Sequence, residues 1–85
     1  MQVKRNTKEI KKSEYVRQSE LAELGGVRPS TIKYYSELGL LPYKQHGTGL
    51  SKFYNREKNL KRLEEILELK KEGKSINEIV AEFVI

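Results

Sequence analysis

Along residues 15–85 the apolar residues fall into short, helix-spaced stripes interrupted by glycine and proline. The sharpest stripe is Ile32, Tyr35 and Leu38, within Thr31-Ile32-Lys33-Tyr34-Tyr35-Ser36-Glu37-Leu38-Gly39-Leu40-Leu41. One side of such a helix faces a core, while Thr31, Lys33 and Tyr34 turn outward with a hydroxyl, a cation and a phenol. Arg28-Pro29-Ser30 opens this helix, because proline's fixed φ suits the first helical position. Gly39 closes it, since glycine takes the left-handed conformation without strain, and Pro42 forbids its resumption. A shorter helix over residues 20–24 precedes it, with Ser19 as N-cap and Leu21, Ala22 and Leu24 as its apolar side. Gly25-Gly26 breaks that helix and Val27 returns to the core. Two short helices joined by a tight glycine turn make a helix-turn-helix.

After Pro42 the pattern changes. Tyr43-Lys44 and Lys52-Phe53-Tyr54 predict two short strands around the loop Gln45-His46-Gly47-Thr48-Gly49-Leu50-Ser51, whose glycines and small polar residues mark a hairpin tip. A hairpin in that place is a wing. Asn55 then caps a third helix running to about Glu72, with Leu60, Leu63, Ile66 and Leu67 at three-four spacing. Gly73 ends it, and Ser75 with Glu78 forms a capping box for a last helix carrying Ile76, Ile79, Val80 and Phe83. The expected fold is therefore mainly α: a winged helix-turn-helix over residues 15–85, with four helices and a small two-stranded β-hairpin wing after the second. Residues 1–14 are basic and weakly patterned, with Val3 and Ile10 the aliphatics after Met1. They are expected to form a flexible basic arm with one loose turn around residues 7–12, serving either as a phosphate-attracting tail or as a plain terminus.

Charge sharpens this picture through its placement. The 85 residues suit one small domain and carry a net charge of +5. Residues 1–15 hold Lys4, Arg5, Lys8, Lys11 and Lys12 against Glu9 and Glu14, and residues 16–54 hold Arg17, Arg28, Lys33, Lys44 and Lys52 against Glu20, Glu23 and Glu37. From residue 55 onward acidic and basic residues balance, so the whole excess lies before residue 55, +3 in residues 1–15 and +2 in residues 16–54. That asymmetry favours a polyanion on one side of the molecule. Without cysteine there is no disulfide, thiolate metal site or thiol nucleophile, which suits a reducing cytosol. No apolar run approaches the roughly 20 residues that span a bilayer, and no secretory apolar segment follows the charged start. His46 stands alone at a loop tip, so neither a metal nor any other cofactor is expected. With no aspartate, no cysteine and one histidine, the chain has almost nothing from which to build an active site, and an enzyme is rejected.

The residues Ser19-Glu20-Leu21-Ala22, Gly26-Val27, Thr31-Ile32-Lys33-Tyr34-Tyr35, Gly39-Leu40-Leu41 and Arg62-Leu63 together resemble the N-terminal DNA-binding domain of the MerR family of bacterial transcription regulators, over about residues 15–83. The resemblance implies a second helix in the major groove of duplex DNA, a wing on the flanking backbone, and two later helices bracing both. It places Lys33 and Tyr34 on DNA and divides Tyr35 between core and phosphate. The chain departs from the family pattern at four points. Arg28 stands where many members have serine, and reaches instead for a phosphate; Lys33 replaces an arginine and loses its bidentate geometry. The wing lacks the usual glycine-tyrosine-arginine run. The 85 residues hold no long dimerisation helix or effector domain, so the chain is expected to be either a fragment of a longer regulator or similar to short stand-alone members, with a dimer only through residues beyond Ile85 or with help from DNA.

On this reading phosphate neutralisation by Arg17, Arg28, Lys33, Lys44, His46, Lys52 and the arm supplies most of the affinity. Arg28, Ser30, Thr31, Lys33 and Tyr34 carry sequence reading. The expected function is sequence-specific double-stranded DNA binding as a cytoplasmic, nucleoid-associated bacterial regulator. The alternatives are an excision or architectural factor of a mobile element, or a protein-interaction module on the same fold.

Overall fold

The computed structural model of the chain describes residues 6–84, so the candidates Lys4 and Arg5, with Met1, Val3 and Ile85, lie outside the described residues. The elements run α1 (Thr7–Lys12), β1 (Tyr15–Arg17), α2 (Gln18–Gly25), α3 (Pro29–Glu37), β2 (Phe53–Asn55), α4 (Arg56–Lys71) and α5 (Ile76–Phe83). This is a mainly helical winged helix-turn-helix, with five helices described where four were expected.

The additional helix is α1, in the arm and over the residues where one loose turn was expected. Asn6 caps it by accepting the Glu9 backbone N–H, and Ile10 is fully buried. The tie continues past its end, where Arg56 donates through Nε to the Ser13 carbonyl and through its backbone N–H to the Glu14 carbonyl, each at 2.8 Å. A single isoleucine driven into the core, with two hydrogen bonds at the helix exit, holds a segment that charge alone would leave in water.

The sheet also differs in detail from the expected hairpin. β2 pairs antiparallel with β1, in the register Tyr15 to Asn55, Val16 to Tyr54 and Arg17 to Phe53. Val16 and Tyr54 both point inward and are fully buried, which fixes the register, because a one-residue slip would expose both. The expected Tyr43-Lys44 limb contributes one bridge, Lys44 to Phe53, closed by two backbone hydrogen bonds of 2.8 Å. The wing is thus a hairpin pinned at its root, with the strand before the helix-turn-helix as its principal partner.

Helix boundaries follow local chemistry. α2 begins at Gln18 rather than after Ser19, because the Glu20 carboxylate reaches back to accept the Arg17 backbone N–H at 2.8 Å. That bond makes Arg17 the N-cap and leaves Ser19 in the first turn. α3 starts at Pro29 and ends as expected at Gly39, whose φ of +81° lets Leu40 donate back to the Tyr35 carbonyl. α4 is capped by the Asn55 side chain and α5 by the Ser75–Glu78 box.

Side-chain hydrogen bonds brace α3 and the wing against β2 and the later helices. The buried Tyr54 hydroxyl meets Ser36 Oγ at 2.8 Å, and Ser36 donates to the Ile32 carbonyl, clipping β2 to α3. Asn59 donates to the carbonyls of Pro42 and Asn55. Arg62 donates to the Leu40 carbonyl while stacking 4.3 Å from the centre of the Phe83 ring, which ties α5 to the end of α3.

Candidate nucleic-acid interface

α3 has one committed inner face. Ile32 and Tyr35 are buried in the core with Ser36 beside them, whereas Ser30, Lys33 and Tyr34 are exposed, Tyr34 to 48%. Thr31 is half-buried, and Arg28, the N-cap, is exposed with no side-chain hydrogen bond to the helix. Of the two roles the resemblance divided Tyr35 between, the phosphate contact is corrected: at 2% exposure its ring packs in the core, 5.8 Å from the Tyr34 ring. Its position in the Ile32 stripe decides this, since residues three apart share a helix face.

Next to the start of α3 lies an open furrow of about 410 Å³ between the helix-turn-helix and the returning limb of the wing, lined by Arg17, Gln18, Ser19, Pro29, Leu50, Ser51 and Lys52. Two cations and several hydroxyl and amide groups border it, and no carboxylate does. Gln18 helps set its width by donating to the Pro29 carbonyl at 3.3 Å, joining the starts of α2 and α3. Gln18, Ser19, Leu50 and Ser51 were not among the sequence candidates. Gln18 and Ser19 sit in a first turn that the expected cap at Ser19 had placed outside the helix, and Leu50 and Ser51 lie in a loop with no periodicity to orient them.

The wing carries its other candidates on a lattice of aromatic rings. Lys52 Nζ lies 4.8 Å from the centre of the Tyr43 ring and Lys44 Nζ lies 4.9 Å from that of Tyr15. The Tyr15 side chain, with a smaller contribution from the Glu14 charge, holds the Lys44 ammonium above its ordinary value of 10.5, so it stays charged at neutral pH. His46 is exposed in the tip, where Gln45 Nε2 bonds the Leu50 carbonyl and Leu50 itself is 56% exposed. The structure thus brings Arg17 and Lys52 to one furrow, puts Arg28, Ser30, Lys33 and Tyr34 on α3's outer side, and leaves Lys44 and His46 on the wing.

The far half of α4 mixes both signs, its last turn ending in Lys70 and Lys71, and the carboxylates gather on one side. Glu64, Glu65, Glu68, Glu72 and Glu82 surround a trough of about 510 Å³ with Lys61, over Leu69 and Phe83. Among the described residues no cluster of metal-ligating side chains occurs and no helix is long and apolar enough to cross a membrane.

A reading-length helix with a cationic outer face, a tight glycine turn before it and a pinned hairpin after it define a winged helix-turn-helix domain. Residues 16–82 match the family described as MerR HTH family regulatory protein, and the chain belongs to that family. No curated protein and no solved structure showed significant similarity to it. The matched span starts after α1, within β1.

Proposed function

We propose that the chain binds double-stranded DNA sequence-specifically as a transcription regulator of the bacterial cytoplasm, with α3 in the major groove and the wing on the flanking backbone. The observation that carries this reading is the outer face of α3 continued by the carboxylate-free furrow: Arg28, Ser30, Lys33 and Tyr34 on one side, Arg17 and Lys52 beyond. The α3 N-terminus adds backbone N–H groups that favour phosphate. Lys33 and Arg28 serve as base readers or phosphate contacts, Ser30, Thr31 and Tyr34 add polar contacts, and Lys44 and His46 extend the contact along the wing. Tyr35 acts only by holding the helix in place.

A salt titration of duplex binding, followed by footprinting on genomic DNA, tests this. Binding whose affinity falls steeply with salt and a protected site of defined sequence are expected. Absence of duplex binding at low salt would instead favour a protein-interaction role, for which the glutamate-lined trough would be the natural surface.

A further inference from the structure

Between the root of the wing, the outer face of β1 and β2, and the first turn of α4 lies a second furrow, of about 240 Å³. Strand alternation builds two of its walls: Val16 and Tyr54 point inward, so Tyr15 and Phe53 stand on the outer face. Tyr43 adds a third ring, seated 5.9 Å from that of the buried Tyr54. Lys44 and Lys58 bring two exposed cations to the same space. No carboxylate lines it, although the Glu14 charge is felt at Lys44. The bridge from Lys44 to Phe53 and the Asn55 cap on the Lys58 backbone N–H fix the backbone that carries both cations.

Asn59 also lines the furrow and is fully buried. Its Nδ2 donates to the Pro42 carbonyl at 3.1 Å and to the Asn55 carbonyl at 2.9 Å. Turning the amide over would set Oδ1 against those two carbonyl oxygens, so its orientation is fixed. Oδ1 is left buried without a hydrogen-bond partner, the one such side-chain atom among the described residues. An acceptor in that state costs free energy that a donor would recover. Because the atom is buried, the group that reaches it must be small.

Size narrows the choice further. A cavity of about 150 Å³ holds benzene, whereas drug-sized ligands occupy roughly 300–1,000 Å³. The furrow falls between them, at the scale of one substituted ring. We infer that it is a binding site for a small aromatic carboxylate that carries a ring hydroxyl or amino group. The ring lies among Tyr15, Tyr43 and Phe53, the carboxylate faces Lys44 and Lys58, and the hydroxyl or amino hydrogen goes to Asn59 Oδ1. This site stands apart from the DNA-binding reading and does not need it. The two meet at Lys44, which a bound carboxylate withdraws from a duplex.

The test titrates the hydroxybenzoate and aminobenzoate isomers into the isotope-labelled chain without DNA and follows its backbone amide resonances. At least one isomer should shift the amides of Tyr15, Lys44, Phe53 and Asn59. It should bind about tenfold tighter than benzoate, which leaves Oδ1 without a donor, and about tenfold tighter than hydroxybenzyl alcohol, which lacks the charge. Inorganic phosphate, which lacks the ring, should also bind more weakly. Lys44→Gln/Lys58→Gln should erase the preference for the acid over the alcohol, with an unchanged circular dichroism spectrum. No binding by any isomer, or benzoate or phosphate binding as tightly as the best of them, overturns the site. In a second arm, the bound isomer should weaken duplex binding by the wild type and leave that of the double variant unchanged. Equal weakening of both overturns the competition at Lys44 and leaves the site standing. A chain that binds the isomer and no duplex overturns the DNA reading alone.

Discussion

α3 and α4 bury similar stripes and show water different faces. α3 puts Ile32 and Tyr35 into the core, and α4 puts Leu63 and Ile66 there. Outward, α3 has Ser30, Lys33 and Tyr34, with Glu37 its single acid at the very end. α4 starts with Lys58 near the wing, but past its midpoint carries Glu64, Glu65 and Glu68, followed by Glu72. Burial therefore decides that both helices exist and where they sit. What each is for is written on the side that burial ignores.

The comparison can be broken first at its common part. Ile32→Ala and Ile66→Ala should each lose about 2–5 kcal/mol of folding stability, measured by urea unfolding, because each removes a fully buried side chain from one shared core. A negligible loss for Ile66→Ala would mean that α4 does not brace the domain. The outer faces should then separate. Lys33→Ala should weaken specific duplex binding by about 1–3 kcal/mol if Lys33 reads a base, whereas Lys70→Ala, at the far end of α4, should leave affinity within error. Equal losses in a fluorescence titration would show that general charge, not position, governs binding.

A smaller effect probes the seam between α3 and β2. Tyr54→Phe removes the bond to Ser36 and should cost about 0.5–1.5 kcal/mol. Burial pushes the Tyr54 hydroxyl above its ordinary 10.0, partly opposed by Ser36, so the folded chain keeps its proton longer than the unfolded chain. That contribution is complete below about pH 10 and is lost as pH climbs toward the raised folded value. Thermal melts through this range should fall more steeply for the wild type than for Tyr54→Phe, and parallel curves would show that the buried hydroxyl contributes nothing to alkaline unfolding.

Much of the framework was legible because its signals are local. Pro29, Gly39, Asn55, Gly73 and the Ser75–Glu78 box each act within one helical turn, and each lies where its chemistry indicated. α1 was legible only as a loose turn over the same residues: Ile10 is one aliphatic residue among lysines and polar groups, with no periodicity to mark its burial. β1 was missed for another reason. Three residues long, it takes its partner from nearly forty positions away, and nothing in Tyr15-Val16-Arg17 announces that pairing. At the interface, the alternation of Lys33-Tyr34 with Tyr35 within one stripe separated outward from inward side chains in advance. The furrows were invisible, since each is assembled from distant segments: Arg17 and Gln18 with Leu50, or Tyr15 with Lys58.

The trough of glutamates beside α5 has a consequence even if nothing ever docks there. Its carboxylates offset the lysines and arginines of the same segment, so residues 55–85 are neutral in sum and the molecule's whole positive excess lies before them. Near a long polyanion such a body feels a torque as well as a pull, and tumbling is biased before any atom touches. Collisions that arrive with the neutral segment first gain little attraction, and a larger share of encounters begins with the hairpin already facing the duplex.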